Sequence, residues 1–370
     1  MKAVRLRTEY LKDPMGLGCR APLLLWNCQG GERQSAWQIE ARTDGGEPLW
    51  DSGKVESASM RAPWGGAPVG EKTRVLWRLR LWDEAGAPGE WSEAAFETGL
   101  DRWQAFWITG DYQPSKRKRY PVDCFRKIFD AGEVKKARLY ITACGLYEAR
   151  LNGEKAGNFV LAPGITDYRK RVQYQTYDVT GLVRRGANQL TVQLADGWYR
   201  GSCGAWGIRN QYGTCTKLLA QLELTYADGG AEIIATDGSW DWSNDGPIRF
   251  ADNKDGEVVD ASRVPGYARK AKVTSHDVVP SPSDNVPVTE HERLKPALIT
   301  TPSGKRVLNF GQNIAGYVAF SVRARAGQRV FLRFGELLDR DGEFTQKNIQ
   351  LSRKNFTTPL QQVDYTCREG

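Results

Sequence analysis

Apolar residues in this chain recur with a period of two and almost nowhere with the helical period, which restricts it to sheets. In 75–82, Trp77, Leu79 and Leu81 share one face while Arg78 and Arg80 take the other. Leu190, Val192 and Leu194 alternate with Thr191 and Gln193, and Ala220, Leu222, Leu224 and Tyr226 repeat the pattern. Asp228-Gly229-Gly230 supplies a hairpin turn into Ile233 and Ile234. Near the end, Val318, Phe320 and Val322 precede an Ala326-Gly327 turn, and Val330, Leu332 and Phe334 follow it. No window of ~12 residues places apolar side chains at i, i+3, i+4 and i+7. Successive strand side chains point to opposite faces, so each alternating run has one face to bury. The chain is expected to be all-β.

At 370 residues it is too long for a single sandwich, and a divisor of ~150 residues suggests two or three domains. Three blocks separate. Residues 1–100 read as a small sandwich with the size and strand spacing of a fibronectin type III-like module, ending in Phe96-Glu97-Thr98-Gly99-Leu100. Residues 101–280 suit a larger, jelly-roll-like sandwich of the carbohydrate-binding type. A polar, proline-rich stretch at 281–298, with Pro282, Pro287 and Pro296, reads as a linker. Residues 299–370 show four or five strands, too few for a closed sandwich, and are expected to be the truncated start of a third one.

The net charge is +8, from 52 basic and 44 acidic residues. The run Lys116-Arg117-Lys118-Arg119 lies between Pro114 and Pro121, with no base-stacking ring before Tyr120. It reads as a solvated loop, and no nucleic-acid partner is expected. The seven cysteines have irregular spacings without C-x-x-C, and His276 and His291 are the only histidines, which argues against a Cys/His zinc site. Charges at Lys2, Arg5, Arg7 and Glu9 interrupt any signal-peptide apolar run, and no stretch of ~18 apolar residues suggests a membrane span. A cytoplasmic setting with free thiols is expected, with no membrane partner. No cofactor is implied. Aligning Gly256 of the acidic loop Asp252-Asn253-Lys254-Asp255-Gly256-Glu257 with the glycine of a helix-loop-helix calcium site puts Ala251 at the first ligand position. That template fails, and a non-helical calcium site stays open.

The chemistry concentrates in Asp196-Gly197-Trp198-Tyr199-Arg200-Gly201 and, upstream, in Gly145-Leu146-Tyr147-Glu148 and Leu151-Asn152-Gly153. Polar groups, aromatic rings and glycines at a strand end fit a sugar surface. A ring lies against a C–H face, a carboxylate or amide holds hydroxyls, and glycine admits the backbone. A buried Trp corner explains the same residues. The candidate substrate-binding set is Asn152, Asp167, Asp196, Trp198, Tyr199 and Trp206. Asn152 also suits a left-handed turn beside Gly153, Asp196 a capped turn, and Trp198 a core. Tyr168 and Tyr177 read as packing residues, and Gln312 and Asn313 as structural bridges.

Read together, the blocks resemble the N-terminal half of the bacterial α-L-rhamnosidases, inverting glycoside hydrolases that remove terminal rhamnose. The first block matches at Ala36-Trp37-Gln38-Ile39, Leu49-Trp50-Asp51-Ser52-Gly53-Lys54-Val55 and Phe96–Leu100. The second matches at Leu151-Asn152-Gly153, Leu161-Ala162-Pro163-Gly164-Ile165-Thr166-Asp167-Tyr168, Tyr174-Gln175-Thr176-Tyr177-Asp178 and the run beginning at Asp196. The third matches at Asn309-Phe310-Gly311-Gln312-Asn313-Ile314-Ala315-Gly316-Tyr317-Val318 and Gly335-Glu336-Leu337-Leu338. Ala195 stands where the family has glycine and Gly335 where it has alanine. The resemblance implies rhamnose-containing glycosides as ligands. It also implies a C-terminal (α/α)₆ catalytic domain as the partner missing from this chain. Inversion requires two carboxyl groups ~6.5–9.5 Å apart. The resemblance places that pair in the barrel, so no catalytic residue is expected in 1–370, and the chain alone is expected to be inactive. A stand-alone carbohydrate-binding protein and a β-sandwich interaction module are the competing readings. The sequence does not fix the oligomeric state.

Overall fold

The computed structural model describes residues 1–204, 206–353 and 356–369, with Phe356 described by its backbone alone. Strands dominate. Among the described residues the helices are a 3₁₀ turn at Thr180–Leu182 and one α-helical turn at Gly197–Arg200.

The first sandwich pairs two sheets. One runs Lys2–Thr8, Leu23–Gln29, Arg61–Pro63. The other runs Met15–Leu17, Ser92–Thr98, Arg74–Trp82, Ala36–Thr43, Pro48–Asp51. Their inner faces supply a common core of Leu24, Trp26, Trp37, Ile39, Trp77, Leu79 and Phe96. The alternation legible in 75–82 is the one observed: Val75, Trp77, Leu79 and Leu81 are buried, while Arg78 and Arg80 cover Trp91 on the outer face.

The second sandwich is larger. One sheet orders Lys272–Val273, Ile108–Thr109, Lys217–Tyr226, Val134–Cys144, Gln173–Asp178 and Ser281–Pro282, with Ala231–Ala235 paired to Lys217–Tyr226. The facing sheet orders Glu154–Lys155, Leu146–Leu151, Gly186–Ala195, Asp123–Ala131, Asp241–Ser243 and Arg269–Lys270. Leu218, Ala220, Leu222 and Leu224 from one sheet meet Leu190, Val192 and Leu194 from the other. The register sets Tyr147 and Asp123 each opposite Leu194, and Cys144 opposite Lys217. The chain therefore turns at Asp123, Cys144, Asp196 and Thr216 at one end of the sandwich.

Within the stretch 281–298, residues 281–288 are held against this domain, while Ala297 and Leu298 pair with Asn309 and Leu308. Ser281–Pro282 pairs in parallel with Gln173–Asp178. Asp284 accepts from Arg171 at 2.7 Å and Gln173 at 2.6 Å, and Val160 N donates to Val288 O at 2.8 Å.

A third sheet orders Ile248–Asp252, Gly256–Asp260, Gln362–Thr366 and Arg329–Arg333. Gly256–Asp260, from the middle of the chain, runs parallel to Gln362–Thr366. Gly256 is required there: its φ is +95°, and a Cβ would come within 1.8 Å of Gln362 O. The expected strand over Val318, Phe320 and Val322 is not formed. Alternation makes a segment competent for a sheet, but a strand forms only where a neighbour pairs with it. No described residue pairs with this segment, and Tyr317, Phe320 and Val322 are exposed. Val330 and Leu332 do lie in a strand, as their alternation suggests.

The first two sandwiches are joined by buried charge. Arg138 donates to both carboxylate oxygens of Glu97, at 2.8 and 2.9 Å, with Asp178 2.9 Å from the same guanidinium. Tyr174 OH accepts from Leu100 N at 2.7 Å and donates to Leu100 O at 3.1 Å, fixing the chain as it leaves the first sandwich. Removing one partner of a buried bidentate pair strands the other in low dielectric and typically costs about 3–5 kcal/mol. Glu97→Ala is therefore expected to lower the thermal midpoint markedly. Glu97→Gln combined with Arg138→Met is expected to recover part of the loss. Equal melting of wild type and Glu97→Ala by calorimetry would show that the pair does not join the domains.

Candidate functional site

The strand-end turns of the second sandwich form its most polar buried region. Gly186–Ala195 ends at Asp196, and the chain reverses through Gly197, whose φ is +53°. A Cβ on Gly197 would lie 2.6 Å from Leu146 Cγ, so glycine lets the short helix Gly197–Arg200 sit directly on the neighbouring turn. One helical turn brings Arg200 back over Asp196, with Nε donating to Oδ1 at 2.7 Å. Asp196 Oδ2 accepts from Arg209 at 3.4 Å. Arg200 also lies 3.8 Å from Asp123 and donates to Tyr112 OH.

Asp123 is fully buried and accepts from Thr216 Oγ1 at 2.5 Å, Trp242 Nε1 at 3.0 Å and Tyr112 OH at 3.3 Å. Burial pushes the Asp123 carboxyl above its ordinary range, opposed by the Arg200 guanidinium and by the donors on it. For Arg200, burial alone would lower the pKa, but Asp196, Asp123 and Tyr112 hold it above the ordinary value. It stays charged.

Above this network lies an aromatic layer. Tyr168 packs edge-on to Tyr199 with ring centroids 5.3 Å apart, and Tyr212 sits 5.1 Å from Tyr168. His276 meets Trp107 at 5.5 Å and Tyr199 at 6.4 Å, and its Nε2 is 3.0 Å from Tyr168 O. Arg169 covers the half-buried Tyr212 ring at 5.2 Å.

Three α-L-rhamnosidase family models match most of the chain. Residues 3–102 match the Rha78A-like N-terminal immunoglobulin domain. Residues 132–297 match the α-L-rhamnosidase N-terminal domain, and residues 299–367 the bacterial α-L-rhamnosidase concanavalin-like domain. The fold superposes on the α-L-rhamnosidase of Aspergillus terreus with a TM-score of 0.89 and 30% identity, over 99% of this chain and 44% of that one. This chain belongs to the N-terminal β-domain portion of the α-L-rhamnosidase family. A Streptomyces avermitilis α-L-rhamnosidase solved with L-rhamnose superposes at 0.87 with 27% identity, over 100% of this chain and 54% of its own. The α-L-rhamnosidase of Alteromonas sp. (strain LOR) is 32% identical over 92% of this chain and 40% of that enzyme. The chain spans about half or less of the length of the curated relatives it matches.

Within this rhamnosidase domain the six candidate side chains do not converge. Asp196 and Tyr199 are buried, and Asp196 is spent on Arg200 and Arg209, so neither presents a free group to a sugar. Trp198 is half-buried against the cluster of Trp107, Tyr168 and Tyr199. Asn152 lies at the opposite end of the sheet, where Leu151 pairs with Leu190, five residues or ~17 Å from the Ala195 end. There its φ is +54°, Nδ2 donates to Leu182 O and Asn188 Oδ1, each at 2.8 Å, and Oδ1 accepts from Gln189 N at 3.0 Å. It clamps a turn. Asp167 and Trp206 remain at the surface: Asp167 accepts from Arg169 at 3.2 Å, and Trp206 is 61% exposed beneath the Arg353 guanidinium.

The acidic loop considered for calcium is the turn between Ile248–Asp252 and Gly256–Asp260. Asp252 accepts from Ser202 N at 2.8 Å and Lys254 N at 2.9 Å. Asp255 accepts from Arg119 at 2.5 Å and Thr358 Oγ1 at 3.1 Å. Among the described residues no cluster of three or more His, Cys, Asp or Glu has metal-binding geometry. The residues missed by sequence reading are Arg200, Asp123, Arg209 and Tyr212. The i, i+4 spacing of Asp196 and Arg200 was a readable signal.

Two outcomes follow from this geometry. Asp196→Asn should destabilise the fold, by up to about 3–5 kcal/mol if Arg200 is left without compensation. Chemical denaturation reads the loss, and unchanged stability would return Asp196 to the list of free ligand groups. The second concerns pH. Burial, aided by Lys217, pulls the His276 pKa below its ordinary 6.5. The unfolded chain then takes up this proton at a higher pH than the folded one. The stabilisation from neutral His276 is complete above pH about 6.5 and is lost as pH falls toward the lowered folded value. His276→Gln should flatten the decline in melting temperature between about pH 7 and pH 5. A parallel decline in both proteins would refute the assignment.

Proposed function

We propose that this chain is the non-catalytic β-domain portion of an α-L-rhamnosidase that hydrolyses terminal α-L-rhamnose from glycosides with inversion. The reading rests on the superposition over 99% of the chain, which occupies 44% of the Aspergillus terreus enzyme. The sandwiches would hold a catalytic domain supplied by sequence outside 1–370. The strand-end surface near Asp167, Tyr212 and Trp206 would contact the glycoside.

The carboxylates support this division. Inversion uses one protonated acid and one carboxylate base facing each other across the bond. Glu97, Asp196 and Asp255 are each neutralised by arginine within the fold. Asp123 is enclosed by its donors. Glu257, whose side chain reaches solvent, is also pushed above its ordinary value, by the surrounding protein and by the nearby Glu148 carboxylate. Glu148 is itself held by Arg150 at 2.7 Å and Lys155 at 3.7 Å, on the outer face of the sandwich.

The purified chain is expected to release no 4-nitrophenol from 4-nitrophenyl α-L-rhamnoside above a heat-denatured control, with Glu257→Gln indistinguishable from it. Release that vanishes in Glu257→Gln would place the chemistry on this chain and overturn the reading. Where the gene continues into a catalytic domain, proton NMR of the fresh product should show the β-anomer first. The α-anomer first would exclude inversion.

A further inference from the structure

We infer that loops 113–120 and 206–212, with Lys254 and Arg353, form a cationic platform for an anionic glycan bearing carboxylate or sulfate groups. The inference rests on the rhamnosidase reading only in taking the ligand to be a saccharide.

The two loops are distant in sequence and are fastened together. Asn210 Nδ2 donates to Lys116 O at 3.4 Å. Arg119 is anchored on Asp255 at 2.5 Å, with its guanidinium 4.5 Å from the Phe250 ring. Lys254 Nζ donates to Gly204 O, and the Arg353 guanidinium lies 5.6 Å from the Trp206 ring centre. The hairpin of Ile248–Asp252 and Gly256–Asp260 and the separate strand Leu351–Arg353 therefore help to shape this face.

Its charge is sorted by depth. The acids beneath these loops, Asp196, Asp252 and Asp255, are buried, and each already accepts hydrogen bonds from within the fold, while the surface Asp167 is paired with Arg169 at 3.2 Å. Lys116, Arg117 and Lys118 are exposed, and among the described residues they make no ion pair. A carboxylate layer beneath and ammonium and guanidinium groups above leave a surface positive toward solvent. Such a surface attracts anions at long range and loses that attraction as salt rises.

The ring decides the ligand class. Trp206 is 61% exposed, whereas Tyr120 packs 4.8 Å from Tyr112 and presents no comparable face. Among the described residues of this face, one well-exposed indole, with the Arg353 guanidinium 5.6 Å from its ring centre, sits beside several cations, which matches a pyranose C–H face next to a carboxylate or sulfate. A single nucleic-acid strand is held by stacking successive bases on several rings, and a duplex is held through its phosphates, with no use for the indole.

Binding of the whole chain can be measured by calorimetry in about 20 mM and about 200 mM NaCl. The probes are a rhamnogalacturonan (carboxylate), a sulfated rhamnan (sulfate), a neutral rhamnan and a 20-base-pair DNA duplex. The expected result is salt-sensitive binding of at least one anionic glycan, tighter than that of the neutral glycan and the DNA. Lys116→Gln, Arg117→Gln and Lys118→Gln combined should weaken it roughly tenfold with melting unchanged. Trp206→Ala should weaken the same glycan at both salt concentrations, which a mere ion exchanger would not show. Equal affinity for DNA, equal affinity for the neutral rhamnan, no binding at all, or indifference to either variant would overturn the inference. The aryl-rhamnoside assay is independent of every one of these outcomes, so the platform can fail while the rhamnosidase reading stands.

Discussion

Arg200 is the charge around which the strand-end region is organised. A guanidinium taken out of water is tolerated only when opposite charge and hydrogen-bond acceptors are already in place. Here they come from three separate stretches: Asp196 one helical turn back, Asp123 at the start of a neighbouring strand, and Tyr112 in the preceding loop. Satisfying one buried cation thus fixes how 108–123 and 196–216 lie against each other. The satisfaction is incomplete, since Arg200 Nη2 is buried without a hydrogen-bond partner. An unmet buried donor costs about 1–3 kcal/mol, so the surrounding packing must hold the side chain in place against that penalty.

The same economy explains why the proposed sugar contact is assigned to residues further out. Asp196 and Tyr199 look like ligand groups in the sequence, but the fold uses both as foundations. Tyr199 OH packs against Gly213, where a Cβ would come within 2.4 Å. What remains for a ligand is the layer they support: Tyr212 with Arg169 over it, Asp167, and the exposed indole of Trp206. A rigid buried ion pair carrying an exposed loop is a sound arrangement for weak saccharide contacts, because the loop's ordering cost is met during folding and not at binding.

How much was legible depended on the range of the interaction. Alternation in 75–82, 190–194 and 218–224 is local, and those faces are the ones buried. The hairpin at Asp228-Gly229-Gly230 is equally local, and its strands pair with Gln221 opposite Ala235 and Thr225 opposite Ala231. Partner supply is not local. The alternation at Val318, Phe320 and Val322 is as regular as the others, yet nothing described pairs with it. Side-chain commitment is not local either: Arg200 and Asp123 are 77 residues apart, and no pattern in one stretch reveals that the other will close over it. Asn152 shows the intermediate case. Its turn geometry was readable beside Gly153, whereas its bonds to Leu182 and Asn188 required the fold.

The third sheet extends this reasoning to domain organisation. Composition makes 281–298 a linker, and composition is blind to hydrogen-bond partners. The parallel pairing of Gly256–Asp260 with Gln362–Thr366 closes a loop of about 100 residues. That closure carries an entropic cost that grows only slowly with length. The edge strand Ile248–Asp252 and the inner strand Gly256–Asp260 are already fixed to the second sandwich through Asp252 and Ser202. They offer a template with one open edge, on which Gln362–Thr366 adds its own row of hydrogen bonds. Asp255 completes the join by accepting from Thr358 Oγ1 and from Leu360 N. The third sheet is therefore grafted onto the second sandwich, so its orientation is set by backbone hydrogen bonds and not by a flexible tether.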